Sequence, residues 1–151
     1  TRVMHIYVDA DACPVKDEAL KVASRHGIPV SYVANSWMRL PEGELVARVI
    51  VSAGADAADD WIAERAGARD IVVTQDIPLA ARCIEAGALV LRHNGEELSR
   101  ANIGNVLATR DLMADLRAAD PFRQGGGRPF SKTDRSRFLE ALERLVRQAK
   151  Q

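Results

Sequence analysis

The chain has 151 residues, about one domain's worth, with 47% hydrophobic and 28% charged residues and a formal net charge of zero. A chain of this size buries roughly 70% of the surface its unfolded form exposes, so it needs neither disulfides nor metal to fold. The neutral balance gives no general attraction to nucleic acid, and no run approaches the ~20 apolar residues of a membrane helix.

Val3 to Val8 is a short, partly β-branched apolar run and reads as a buried strand. His5 interrupts it, so no secretory leader is expected. Asp9-Ala10-Asp11-Ala12-Cys13 turns the chain, and Pro14 suits the first position of a helix. Val15, Ala19, Val22, Ala23 and His26 follow at helical spacing, and Gly27 ends the segment. Ile28 to Ala34 is a second strand, interrupted early by Pro29. A loop from Asn35 to Glu44 carries Trp37, Arg39 and Pro41, and Arg48 to Ser52 is a third strand.

Gly54-Ala55-Asp56 leads into a helix reaching about Ala66, with Ala58, Trp61, Ile62 and Ala66 on its buried face. Gly67 closes it. Asp70 to Thr74 is a fourth strand. Asp76 caps a helix that runs through Ala86 to Gly87, and Ala88 to Leu91 is a fifth strand. Strands and helices that alternate over short connections imply parallel strands with helices on both faces. The expected fold is therefore α/β, a three-layer α/β/α sandwich around a mainly parallel sheet of about five strands. Asn102 to Ala119 reads as a long helix. Pro121 to Pro129 is a loop containing Gly125-Gly126-Gly127, and Ser131 to Lys150 is a final amphipathic helix with Phe138, Leu142, Leu145 and Val146 on one face. With no internal repeat, residues 1–151 are expected to form one domain, on which the basic segment 120–151 packs.

Ligands of open parallel sheets bind beyond the carboxyl ends of the strands, where strand order reverses. Asp9 and Asp11 follow the first strand, Asp76 follows the fourth, and Asp56 and Asp59 open the helix after the third. These groups converge if strands one and four are neighbours. Crowded carboxylates raise one another's pKa values, and a divalent cation relieves the repulsion. Oxygen-only ligands select Mg²⁺ or Mn²⁺, which polarise a phosphoryl oxygen and activate water. Each aspartate also has a local reading. Asp11 suits an Asx turn, Asp56 and Asp76 suit N-caps, and Asp59 and Asp60 suit the positive end of their helix. Capping does not require carboxylates at three strand ends on one side of a sheet. Cys13 reads as a packed residue rather than a nucleophile, and His5 as structural. The only other cysteine is Cys83, and two distant thiols fit a reducing compartment, so the expected location is the cytoplasm.

Nine Lys/Arg stand against four Asp/Glu from Arg117 to Gln151, leaving the rest of the chain acidic. Arg123, Arg128, Lys132, Arg135 and Arg137 form a candidate phosphate-contacting element, with Ser131 as a helix N-cap. A solvated helix face is the alternative reading. Trp37 and Arg39 could stack on a base or pack locally.

Val8-Asp9-Ala10-Asp11-Ala12-Cys13-Pro14 resembles the YaiI/YqxD family of bacterial proteins. Further matching pieces follow in order: Gly54-Ala55-Asp56-Ala57-Ala58-Asp59, Val73-Thr74-Gln75-Asp76-Ile77-Pro78-Leu79-Ala80, and Arg110-Asp111 with Leu116-Arg117. Last come Gly125-Gly126, Ser131 and Asp134-Arg135. The sequence departs from the family pattern at Gly127, where proline is expected. That family is similar to PIN-like nuclease domains in its acidic layout. The resemblance implies Mg²⁺ or Mn²⁺ held by Asp9, Asp56 and Asp76, with Asp11 and Asp59 in support. A ribonuclease of this kind would use Asp9, Asp11, Asp56 and Asp76 in catalysis. It would hold RNA with Arg39, Arg128, Lys132 and Arg135, and a homodimer is a further expectation. Two alternatives stay open. One is a haloacid-dehalogenase-type phosphatase with Asp9 as nucleophile and Asp11 as acid/base. The other is a non-catalytic RNA-binding or adaptor protein that keeps the fold.

Overall fold

A computed structural model describes residues 4–52, 54, 56–119 and 129–150, with backbone alone at 117 and 119. Among them are six strands, β1 (Ile6–Asp9), β2 (Val30–Ala34), β3 (Val46–Ile50), β4 (Ile71–Val73), β5 (Leu89–Leu91) and β6 (Glu97–Leu98). Five helices accompany them, α1 (Lys16–His26), α2 (Ala57–Arg65), α3 (Ile77–Glu85), α4 (Ile103–Ala119) and α5 (Lys132–Lys150). The strands form one sheet in the order β3-β2-β1-β4-β5-β6, parallel throughout except for the β5–β6 pair. β1 and β4 are neighbours, with Ile6 beside Ile71 and Val8 beside Val73. The order therefore reverses on either side of β1, and the crevice of the doubly wound arrangement opens at the carboxyl ends of β1 and β4.

Alternate residues of the central strands feed two cores. Ile6 and Val8 of β1, with Val30 and Tyr32 of β2, face a layer made by α1 and α5. Tyr7, Val33, Val72 and Val90 face α2 and α3, with Ile103, Val106 and Leu107 of α4 at the margin. Burial on both faces is why the inner strands read as unbroken apolar runs. The apolar stripe of α5 is buried as its spacing predicts, with Phe138, Leu142, Leu145 and Val146 all against the sheet and α1. Polar ties reinforce that seam: Glu143 accepts from Arg25 Nη1 at 2.7 Å and pairs with His26 Nε2 at 2.6 Å.

Two boundaries, one residue's burial and one added strand differ from the sequence reading, each for a local reason. The first helix begins at Lys16 rather than Pro14, because Ala12 takes a left-handed conformation (φ 56°) and residues 14–15 make a further turn. The third strand runs Val46–Ile50, two residues earlier than expected. It is the edge strand, where outward residues such as Arg48 mask the period-2 pattern. Trp61 is only half-buried in the α2 face and carries the Arg65 guanidinium 3.9 Å above its ring. A sixth strand, absent from the sequence reading, follows the turn at Asn94-Gly95, where Gly95 has φ 90°. Two residues are too short for periodicity to register, although Asn-Gly is a hairpin signal. Arg123, Arg128 and the triple glycine lie outside the described residues. Among those described, no helix is long and apolar enough to cross a membrane.

Candidate functional site

Asp9 is the last residue of β1, and its carboxylate reaches toward the end of β4. Thr74 Oγ1 donates to Asp9 Oδ2 at 2.8 Å, and the same hydroxyl accepts from the Asp76 N–H at 3.0 Å. Asp76 is the N-cap of α3, its Oδ1 accepting from the Leu79 N–H at 2.9 Å, so the capping reading of this residue holds. Its carboxylate also meets Asp59. Asp59, one turn into α2, shares a carboxyl–carboxyl hydrogen bond with Asp76, and the charges of Asp76, Asp9 and Asp56 bear on it. Burial first, then that bond and those charges, push the Asp59 carboxyl up to about 7. Asp9 is pushed up to about 6, chiefly by burial and further by Asp11 and Asp76, while the Thr74 bond opposes the rise. Asp60, the neighbouring candidate, turns away and pairs with Arg82 at 2.8 Å.

Asp11 is oriented differently. Its Oδ2 accepts two bonds from Asn35, one from the backbone N–H and one from Nδ2, both at 3.0 Å. Asn35 Oδ1 in turn accepts from the Ala58 N–H at 3.1 Å. Asn35 thus caps α2 from the end of β2, 23 residues away in sequence. Asp56 occupies the N-cap position of that helix but makes no side-chain cap bond, so its exposed carboxylate has no capping duty. Asn35 and Thr74 are the positioning residues the sequence reading missed. Their signal was available: each is a polar residue directly after an apolar strand, in the layer where ligands bind.

The structure gathers Asp9, Asp11, Asp56, Asp59 and Asp76 into one electrostatic neighbourhood at the switch point. Among the described residues, no three His, Cys, Asp or Glu side chains stand as a ready-made cage for a metal ion. The donor set is carboxylate oxygen alone, the chemistry of a hard cation such as Mg²⁺ or Mn²⁺ rather than Zn²⁺. Cys13 is buried with its thiol pushed up to about 11 by that burial, which leaves it a packing residue. His5 bonds Ser31 Oγ at 2.7 Å and stacks on Tyr7, a structural role.

The basic candidates separate. Arg39 is exposed on the loop after β2, in a groove beside Trp37, which is 82% exposed. Lys132 is exposed at the start of α5. Arg135 is engaged within the fold, with Nη1 donating to the Pro14 carbonyl at 3.1 Å and pairing with Glu18. Ser131 caps α5 as its sequence suggests. Asp134 N–H donates to Ser131 Oγ at 3.1 Å, and Ser131 N–H donates back to Asp134 Oδ2 at 3.0 Å.

The family described as "Uncharacterized BCR, YaiI/YqxD family" matches residues 7–148. A UPF0178 protein of Roseobacter denitrificans is 66% identical over 144 residues, covering 95% of each chain. Another, from Ruegeria pomeroyi, is 62% identical over 145 residues, covering 95% of this chain and 94% of its own. A third, from Rhodopseudomonas palustris, is 58% identical over 142 residues, covering 94% of this chain and 91% of its own. No solved structure matches the chain. The chain belongs to the YaiI/YqxD family of bacterial proteins.

Proposed function

We propose that this chain is a divalent-cation-dependent nuclease acting on RNA, with the aspartate layer at the carboxyl edge of the sheet as its centre. The supporting observation is the gathering of Asp9, Asp11, Asp56, Asp59 and Asp76, where burial first and the neighbouring carboxylates after it push Asp9 up to about 6 and Asp59 up to about 7. Such crowding lowers stability, so it is a functional rather than a structural arrangement. The resemblance to PIN-like nuclease domains supports the same reading.

Asp9, Asp59 and Asp76 are the residues that would hold Mg²⁺ or Mn²⁺, with Asp56 at the exposed rim. When bound, the cation supplies charge stabilisation at a phosphoryl oxygen and a more acidic water. Thr74 fixes the Asp9 carboxylate by its hydrogen bond and leaves the second oxygen for the site. Asp59, whose carboxyl is pushed up to about 7 without a cation, would release its proton as the cation binds. Asp11 acts through Asn35, holding the β1–α1 turn against the start of α2. Arg39 and Lys132 are the exposed cations that would contact the strand's phosphates.

The experiment is cleavage of single-stranded RNA, with DNA in parallel, in Mg²⁺ or Mn²⁺. Cleavage that stops with chelator, and in Asp9→Asn and Asp59→Asn, is the expected result. A broad RNA and DNA panel left intact at high protein concentration with either ion would overturn the reading.

One observation favours a second reading, RNA binding without catalysis: the carboxylates are not preassembled as a cage among the described residues. Retention of RNA with no response to Mg²⁺ or Mn²⁺ would support it. The phosphatase alternative needs Asp11 as an acid facing substrate, whereas that carboxylate is turned to Asn35.

A further inference from the structure

A second polar feature stands on the same edge of the sheet, at the end of β5. Arg92 and His93 follow one another there, and His93 is only 6% exposed. His93 Nε2 and Arg92 Nε are both buried, and neither meets a hydrogen-bond partner among the described residues. Buried polar atoms are nearly always paired, with protein, water or ligand, because an unmade bond is costly, so these two nitrogens call for a further partner. Both residues line an open pocket of about 460 Å³, together with Ala12, Gln75, Asn94 and Phe130.

Arg92 Nε, the Gln75 amide, and His93 Nε2 in its Nε2–H tautomer are donors on this pocket. Gln75 Oε1 accepts from the His93 N–H at 2.9 Å, which leaves its amide NH₂ as the outward end. Arg92 Nε carries a hydrogen and no lone pair. Burial, with Arg92 and Lys16 adding to it, holds the His93 imidazole down to about 4, so it is neutral near pH 7 and can present an N–H. Two cations, Arg92 and Lys16, thus stand near the His93 ring, and Arg92 Nη1 also lies 3.7 Å from Glu96 Oε2. Asp134, the acid on this wall, accepts the Ser131 N–H in the capping box of α5. The start of that 19-residue helix therefore adds its positive end to the same wall. Gln75 and Arg92 also line an adjoining cleft of about 480 Å³ beside Asn105, Thr109 and Arg110 of α4. The pocket thus opens into a longer groove, and Gln75 directly precedes Asp76 of the acidic layer.

We propose that this pocket binds a phosphoryl group through Arg92 Nε, His93 Nε2 and the Gln75 amide, the group being presented by a polynucleotide backbone or by a terminal phosphate. The pocket goes beyond the nuclease reading, because it holds phosphate whether or not the aspartates cleave anything.

The test uses the full chain with chelator present, so that no cation bridges ligand to aspartate. Nitrogen resonances of the His93 ring and of Arg92 Nε are followed while inorganic phosphate is added. A short 5′-hydroxyl RNA and its 5′-phosphorylated counterpart are then titrated in the same way. Both resonances are expected to move. Arg92→Ala and His93→Ala are each expected to weaken binding by about 10- to 100-fold, the loss of one charge-assisted or buried hydrogen bond. His93→Gln keeps a donor and is expected to bind more tightly than His93→Ala. Equal binding of the two RNAs assigns the pocket to an internal phosphodiester, and preference for the phosphorylated one assigns it to a terminal monoester. Because binding is read in chelator, where the aspartates hold no cation and cleave nothing, failure of the nuclease reading leaves this one standing. Unmoved resonances at millimolar phosphate and RNA, or unchanged affinity in both alanine variants, would overturn it.

Discussion

Replacing Asp9 with asparagine is expected to stabilise the metal-free protein, and to do so only above acid pH. The folded carboxyl titrates about 6 against an ordinary 3.8, mainly because it is buried. An acid whose pKa is raised by folding binds protons more readily when folded, so stability falls as pH rises between the two values. Below about pH 4 both states hold the proton and Asp9 costs nothing. Above about pH 6 the folded state carries the full penalty, about 3 kcal/mol at about 1.4 kcal/mol per pH unit. Asparagine keeps an acceptor for Thr74 Oγ1 but loses the charge assistance of that bond, so the net gain is about 2 kcal/mol. For a chain of this length that is a rise in Tm of about 4–8 °C. Thermal denaturation of both proteins in chelator, at about pH 4 and about pH 8, reads the effect. A variant less stable than wild type at the higher pH, or a difference that does not change with pH, would refute the reasoning.

Adding Mg²⁺ or Mn²⁺ at about pH 8 is expected to raise the wild-type Tm and to leave Asp9→Asn and Asp59→Asn nearly unmoved, a difference that differential scanning calorimetry detects. Thr74→Val removes the donor to Asp9 and the acceptor of the Asp76 N–H. It is expected to cost about 1–3 kcal/mol in urea denaturation and to raise the Asp9 pKa further in an NMR titration. Gly95→Ala is expected to destabilise by more than about 2 kcal/mol. The glycine has φ 90°, and an added Cβ would lie 2.7 Å from the Arg137 backbone of α5. Ser131→Ala removes one side of the α5 capping box and is expected to cost about 1 kcal/mol in the same urea assay.

Much of this fold can be read from periodicity. The buried strands β1, β2, β4 and β5 are β-branched runs bounded by turn residues, and the α5 face falls where 3.6-residue spacing puts it. The start of α3 was legible because its cap is local: Asp76 bonds Leu79 three residues on. The start of α2 was not, because its cap is Asn35, reached across the sheet. Local rules assign that duty to Asp56, the nearer residue, and so hide that its side chain makes no cap bond. Arg135 shows the same limit. In sequence it belongs to a basic segment facing a polyanion, but the docking of α5 on α1 brings Glu18 and the Pro14 carbonyl within its reach. His93 was invisible for another reason. Its burial depends on the β5–β6 turn and on the start of α5, neither of which pattern reveals.

The two missed residues explain how the acidic layer coexists with a stable fold. Thr74 joins Asp9 to the first turn of α3 through the Asp76 N–H, and Asn35 joins Asp11 to the first turn of α2 through the Ala58 N–H. Each of the β1 carboxylates is thereby linked, by one neutral polar side chain, to the positive end of a helix. The linkage offsets part of the mutual repulsion without neutralising any charge, since neither Thr74 nor Asn35 is charged. A salt bridge to lysine or arginine would have quenched the layer more fully, and would also have occupied the oxygens a cation needs. Neutral links are the arrangement that holds carboxylates close and leaves their remaining oxygens free to bind.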